Sequence, residues 1–435
     1  MIKKIIMLCM MLLPVVHNAA VHAETDVYIG IQARGTHVSL GLAQFLPKNY
    51  SVRESALSRL VESVIRYDLL FSLYFDLVEG GPVSSMMRQI DFEGWKKLGA
   101  DALVAGECEF AGDTLRINVG LYDIETGELI WQQVFESDSG KMRSSAHAVS
   151  DEITLRFTGE KGIARTKIAF SNNASGNKEI YVVDYDGYNL TRITRHKSIS
   201  LFPRWSKDGK KICYTSYKDK NPDLFIMNAN GSDEKPLSIR QGLNTAARWS
   251  PNGDNLALTL SMGKDPNIFI INEHGEIIRR VTKDQSAETS PDFSPNGQHM
   301  VYTSDLPGYP QLYISDVYGR NARRLLSGDY CDSPAWSPQG DKITYTMMTG
   351  GRYFDIYTVD IFGRRQVRLT FNSNNNENPS WSPDGRFIIF TSKRNGKTEL
   401  FIMSADGTNQ HRLLELKGES FTPDWSPYLG ASPHL

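Results

Sequence analysis

The hydrophobic positions of this chain change rhythm near residue 160. Before that point helical spacing and strand alternation are interleaved. Leu57, Leu60, Val61, Val64, Ile65 and Leu69 recur at three- and four-residue intervals, on one face of a helix. Ser51 stands at its start with Glu54 three residues on, the pattern of a capping box, in which each side chain satisfies the other's backbone N–H. Around this helix the pattern predicts strands at His37–Leu42 and Tyr74–Val78 and a short helix capped by Asp91. Three strands follow at Ala102–Phe110, Thr114–Tyr122 and Glu128–Glu136, then a closing helix from Ser144 to Arg156. The order β-α-β-α-β-β-β-α predicts a small α/β two-layer domain.

Beyond residue 160 short alternating runs rich in β-branched and aromatic residues take over, such as Ile388-Ile-Phe390-Thr-Ser392 and Leu400-Phe-Ile402. Two phrases recur among them. One carries an aromatic in nearly the same phrase each time, typified by Pro379-Ser-Trp381-Ser-Pro-Asp-Gly385: Trp205, Trp249, Phe293, Trp336, Trp381 and Trp425, spaced by 44, 44, 43, 45 and 44 residues. The other is a turn glycine, Gly187, Gly231, Gly275, Gly319, Gly363 and Gly407, spaced by 44 throughout. A period in the forties is that of a propeller blade of four strands. The phrases are out of phase: the aromatic matching Gly187 would fall at Lys161, and Trp425 has no turn-glycine partner half a period later. The last half-unit is therefore expected to complete the first blade, with residues 419–427 as the innermost strand of the blade that starts at Lys167. The fold class is mainly β: a six-bladed β-propeller with C-terminal strand closure, preceded by the small α/β domain. Closing the ring leaves no long free sheet edge.

The start of the chain has a different character. Lys3-Lys4, the apolar run Ile5–Val16, too short to span a bilayer, and Val21-His-Ala23 read as a cleavable signal peptide covering residues 1–23. The expected domains are an N-terminal one at 24–160, with an arm at 24–33, and the propeller at 161–435. Secretion places the protein outside the cytoplasm, with no direct membrane insertion. The formal charge is −2, or −4 once Lys3 and Lys4 are removed, which gives no reason to expect nucleic acid. After the leader, Cys108, Cys213 and Cys331 remain, an odd and widely spaced set that reads as buried small residues.

Candidate chemistry is sparse. His37, His147, His196, His274, His299, His411 and His434 are scattered and read as unpaired surface or turn residues. Asp184-Tyr-Asp186-Gly187 has a calcium-loop start but no later glutamate, and reads as a hairpin. There is no Gly-x-Ser-x-Gly nucleophile elbow for a propeller-type peptidase. No catalytic residue, metal or cofactor is expected. The one-per-blade aromatic reads as packing between blades. In a propeller both repeated turns emerge on one face. The other face carries the variable loops, including 240–246 and 284–290, and is the candidate recognition surface.

Several stretches resemble the TolB family of periplasmic propellers of the Tol–Pal system. They are Thr158-Gly-Glu-Lys-Gly162, Arg165-Thr-Lys-Ile-Ala169, Asp184-Tyr-Asp-Gly-Tyr-Asn189, the repeats, and Trp425-Ser-Pro-Tyr-Leu429. The resemblance implies a non-enzymatic adaptor, a monomer, that supports outer-membrane integrity and cell division. It implies that the loop-rich face binds Pal, a peptidoglycan-associated outer-membrane lipoprotein. The Pal-contact positions would fall on Ala246 and Thr289, with Asn244, Thr245, Glu288 and Ser290 sharing the rim. It further implies that the arm, through Asp26, Val27, Tyr28, Ile29 and Ile31, engages the inner-membrane protein TolA. The other function classes are a propeller-type hydrolase and a propeller that binds a small sugar or peptide in its channel.

Overall fold

A computed structural model describes residues 37–430, except 83–88, 284, 327 and 372. The leader 1–23, the arm residues Asp26, Val27, Tyr28, Ile29 and Ile31, and residues 431–435 lie outside the described residues. The front domain runs β1 (Val38–Leu42), β2 (Leu46–Pro47), α1 (Val52–Ser72), β3 (Phe75–Val78), α2 (Phe92–Lys97), β4 (Ala102–Ala111), β5 (Thr114–Asp123), β6 (Leu129–Asp138) and α3 (Met142–Thr158). Its sheet has the order β3-β1-β4-β5-β6, with β1 parallel to both its neighbours, the short β2 parallel to the far end of β4, and the β4-β5-β6 pairs antiparallel. The apolar stripes of α1 and α3 meet one face of the sheet: Leu57, Val61 and Ile65 with Val149 and Ile153 over Val104, Ile117 and Val119. Trp95 of α2 covers part of the other face, beside Ala43, Leu103 and Ala105.

The start of α1 departs from the expected capping box. Ser51 Oγ accepts the Glu54 N–H at 3.1 Å, as expected. The Glu54 carboxylate does not reach back. It accepts the N–H groups of Asn49 at 2.8 Å and Phe110 at 3.1 Å. The side chain is buried, and the end of β4 offers it a donor that the two-residue box lacks. The cap thereby becomes a clamp between helix and sheet.

The rest of the chain forms six four-stranded sheets, each an antiparallel meander from the innermost strand outward. Blades 2 to 6 begin with innermost strands Ser200–Trp205, Asn244–Trp249, Glu288–Phe293, Cys331–Trp336 and Asn376–Trp381. Blade 1 consists of Lys167–Asn172, Glu179–Asp184 and Thr191–Arg192, and takes its innermost strand, Ser420–Trp425, from the far end of the propeller sequence. That strand pairs Ser420 with Asn172 and Trp425 with Ile168. The Trp425 indole N–H donates to Thr166 Oγ1 at 2.9 Å, and the ring lies 6.4 Å from Phe387 of blade 6. All six motif aromatics are buried, and Trp205 of blade 2 packs with Ile180 and Val182 of blade 1, as expected of residues that fill the seams between blades.

The strict beat of the turn glycines has a double cause. Gly275 has φ +81°, a conformation that side chains other than glycine adopt at a cost, and a Cβ there would lie 1.9 Å from the carbonyl oxygen of Leu237 in the preceding blade. Gly319 meets Val281 in the same way at 2.0 Å. Each turn is thus pressed against its neighbour's outer edge.

The front domain sits on the face that carries these turns, over blades 1 and 6. Phe71 of α1 lies 5.0 Å from Tyr185 and 4.5 Å from Phe387, and the Arg386 guanidinium lies 3.6 Å over Tyr74. Asp151 of α3 accepts the Arg165 Nε–H at 2.7 Å and the Ala164 N–H at 2.8 Å, which fixes the connector. At the centre of this contact is His147, where the expectation of an unpaired surface histidine fails. It is buried, with Nδ1 2.8 Å from Asp68 and Nε2 3.4 Å from Asp186. Tyr185 donates its hydroxyl to Asp68, and Arg143 pairs with Asp186. Burial opposes a charge on His147, but the hydrogen bond to Asp68 and the two carboxylates outweigh it and raise its pKa above the ordinary histidine value. These partners come from α1, α3 and the first blade, so sequence spacing carries no trace of them. His196 is also paired, 2.7 Å from Glu234.

Candidate functional site

Every innermost strand breaks its register at the same place. The shifts fall between Leu201 and Arg204, Thr245 and Arg248, Thr289 and Asp292, Asp332 and Ala335, Glu377 and Ser380, and Phe421 and Asp424. Each bulge contains one residue with positive φ: Phe202, Ala246, Ser290, Ser333, Asn378 and Thr422, between 48° and 55°. Proline follows in every blade except the third, where Ala247 stands. Proline has no N–H to give the ladder, so a bulge is where a strand tolerates it. The prolines were therefore the sequence signal for this feature. The bulges bring Phe202, Ala246, Ser290, Ser333 and Asn378 together around the channel at the loop face.

The expected rim residues divide into two groups. Thr245, Ala246, Thr289 and Ser290 are half-buried at the mouth, with Ala246 and Ser290 on the bulges themselves. Asn244 and Glu288 do not share the rim surface. Each is the first residue of its innermost strand, with its side chain turned into the blade and wholly buried. The Asn244 amide accepts from Ser238 Oγ at 2.6 Å and donates to the carbonyls of Pro222 and Gly242. Glu288 bonds to Ser286 and Ser304. Strand alternation explains this: the residue next to a rim residue faces the blade interior. Both side chains hold the loop residues just before them, 240–243 and 285–287, from below.

The pattern of spacing also missed the acidic part of the mouth. Asp332 accepts from Ser290 Oγ at 3.3 Å and Thr303 Oγ1 at 3.0 Å, a link from blade 5 to the expected rim of blade 4. Burial raises the Asp332 carboxyl, and burial with the neighbouring Asp332 charge raises Glu377. The mouth thus runs from the threonines of blades 3 and 4 to a pair of partly desolvated carboxyls, which favour hydrogen-bond donors or cations on whatever docks there.

Below the bulges the channel is lined by the variable residue of each motif: Arg204, Arg248, Asp292, Ala335, Ser380 and Asp424. Arg248 lies 2.8 Å from Asp424 and 3.8 Å from Asp292, and Arg204 lies 3.7 Å from Asp424. Asp424 accepts the Trp205 N–H at 2.9 Å, and Asp292 the Trp336 N–H at 2.8 Å, each from the next blade. Burial, with Arg248 alongside, lowers Arg204 to about 10. Two cations and two anions satisfy one another here, and this belt joins blade to blade.

His147, Asp184 and Asp186 each bring one ligand atom within 4.8 Å of the others. Lys167 and Asn189 hold Asp184, and Arg143 holds Asp186, so protein cations already supply the charge that a metal would bring. Asp184 to Tyr188 forms a hairpin turn, closed by the Gly187 N–H to Asp184 O at 2.9 Å.

The family model described as the TolB beta propeller domain matches residues 155–429, and the one described as the TolB amino-terminal domain matches residues 32–130. The chain belongs to the TolB family. Among the relatives, the Tol-Pal system protein TolB of Geobacter sulfurreducens is 37% identical over 199 residues, 45% of this chain and 46% of that one. The protein of the same name from Legionella pneumophila subsp. pneumophila is 29% identical over 169 residues, 38% and 40% of the two chains. The chain spans a little under half the length of such curated relatives. The crystal structure of TolB from Acinetobacter baumannii aligns with a TM-score of 0.78 at 25% identity, over 91% of this chain and 98% of that one. Both TolB domains, in TolB order, are thus present, and the bulged channel mouth lies on the propeller face opposite the amino-terminal domain.

Proposed function

We propose that this member of the TolB family is a periplasmic, non-enzymatic adaptor of the Tol–Pal system. Its loop face receives a Pal-like outer-membrane lipoprotein, through Thr245, Ala246, Thr289 and Ser290, with Asn244 and Glu288 supporting the loops. Its arm, through Asp26, Val27, Tyr28, Ile29 and Ile31, engages a TolA-like inner-membrane protein. The consequence for the cell is support of outer-membrane integrity and division. The observation that carries the reading is the separation of faces: the front domain covers the turn face at blades 1 and 6, which leaves the bulged mouth open to a partner. A longer side chain at position 289 would stand in the path of a partner seated on the mouth.

The test is recovery of partners from a detergent-solubilised envelope extract. Wild type is expected to recover a peptidoglycan-binding lipoprotein and an inner-membrane protein. Thr289→Arg is expected to lose the first and keep the second, and removal of residues 24–33 the reverse. Retention of the lipoprotein by Thr289→Arg at wild-type yield would refute the assignment of the rim.

A further inference from the structure

The outer edge of blades 3 to 5 is richer in basic side chains than the chain as a whole. Segments 276–283, 316–326 and 360–371 carry nine basic and three acidic side chains in a chain whose formal net charge is −2. The acids are already engaged at turns: Asp316 accepts the N–H groups of Tyr318 and Arg320, Asp360 those of Phe362 and Arg364, and Glu276 bonds Asn272. Among the described residues no carboxylate lies within 4.0 Å of Arg280, Arg320, Arg323, Arg324 or Arg365. The segments form one continuous strip. Arg279 of blade 3 lies 4.4 Å over the Tyr318 ring of blade 4, and Arg323 of blade 4 donates to Ile361 O of blade 5 at 2.6 Å.

Large apolar side chains stand among these cations. Tyr318 is 57% exposed and Phe362 59%, each at the tip of a turn, with Val367 and Phe371 also exposed behind them. Arg320 and Arg364 lie 5.2 Å and 4.5 Å over the rings of Tyr318 and Phe362. Unpaired like charges repel one another, and exposed aromatics gain nothing from water, so a surface that collects both calls for an occupant that is anionic and amphipathic. Guanidinium forks match phosphate oxygens, and aromatic rings settle at the headgroup level of a bilayer. The strip is spread over three blades, which suits a lattice of lipid headgroups better than a single acidic peptide.

We propose that the outer edge of blades 3 to 5 adsorbs to the anionic phospholipid headgroups of a bilayer. The arginines contact phosphate, and Tyr318 and Phe362 enter the headgroup layer without any segment crossing it. The strip lies along the outermost strands and turn tips, apart from the channel mouth, and the proposal does not depend on what docks there. Electrostatic attraction of this kind falls off within a Debye length, so added salt should release the protein.

The test is flotation of the chain from Glu24 onward, which omits the apolar leader, with vesicles of phosphatidylglycerol and phosphatidylethanolamine or of phosphatidylcholine alone. Wild type is expected to float with the anionic vesicles at low salt, to be released at high salt, and to stay behind with phosphatidylcholine. Each arginine near such a surface raises partitioning about fivefold, so the triple variant Arg320→Ser/Arg323→Ser/Arg324→Ser should fall on the order of a hundredfold. Tyr318→Ser/Phe362→Ser should also reduce flotation. A triple variant that removes the exposed Lys207, Lys210 and Lys264 should change it far less, and circular dichroism confirms that each variant is folded. No flotation with anionic vesicles, equal flotation with phosphatidylcholine, an equal loss in the lysine variant, or capture of an acidic protein without vesicle binding would each overturn the proposal.

Discussion

Closure of the ring through Trp425 can be tested by comparing two tryptophans that occupy the same position in different blades. Trp425 and Trp205 are both 5% exposed. Trp425 donates its indole N–H to Thr166 Oγ1 at 2.9 Å, across the junction between the end of the propeller sequence and its start. The Trp205 indole N–H has no hydrogen-bond partner among the described residues. Replacing either by alanine removes a buried aromatic from a seam, at a cost of about 3–5 kcal/mol. Replacing either by phenylalanine keeps most of the packing. At Trp425 it also removes a buried hydrogen bond, worth about 1 kcal/mol with a further cost for the hydroxyl left behind. At Trp205 it removes an indole N–H that was unsatisfied. Trp425→Phe should therefore destabilise by about 1–2 kcal/mol more than Trp205→Phe. Urea unfolding followed by far-UV circular dichroism measures this as a shift in midpoint at unchanged slope. Equal losses for the two phenylalanine variants would refute the argument that a specific bond, in addition to packing, fastens the last strand to the first blade. A loss below about 1 kcal/mol for Trp425→Ala would refute the closure itself as a stabilising contact.

Other consequences follow from the buried charges. The folded pKa of His147 is raised, so its contribution is complete below its unfolded value of about 6.5 and is lost as pH rises through the higher folded value. The melting temperature should therefore fall as pH rises through and above neutrality, and His147→Gln should flatten that part of the profile. An identical profile in the variant would exclude His147 as the titrating group. Asp424 serves Arg248, Arg204 and the Trp205 N–H together. Asp424→Ala should cost about 3–5 kcal/mol in urea unfolding because buried guanidinium charge is left unmatched, and a second change, Arg248→Met, should recover part of the loss. A loss within about 0.5 kcal/mol of zero would mean that the belt is solvated.

The sequence by itself determined the fold. Its repeat length set four strands per blade, the count of repeats set six blades, and the phase between Trp425 and Gly187 set the closure, because these are properties of order along the chain. The helical stripe of α1 and the strands of the front domain were legible for the same reason: burial of one face imposes a period. The prolines after five of the six bulges were also legible signals, although spacing alone did not interpret them. Tertiary structure decided whatever depends on which side chains arrive at one point from distant elements. Asp68, His147 and Asp186 lie far apart in sequence and meet because the front domain settles on blades 1 and 6. Asn244 and Glu288 looked like neighbours of the rim because they are neighbours in sequence, yet the pleat turns them into the blade. Arg204, Arg248, Asp292 and Asp424 occupy the most variable position of the motif, and only the closed ring brings their charges together. Periodicity carries what each element buries, and only the assembled geometry carries what the elements then face.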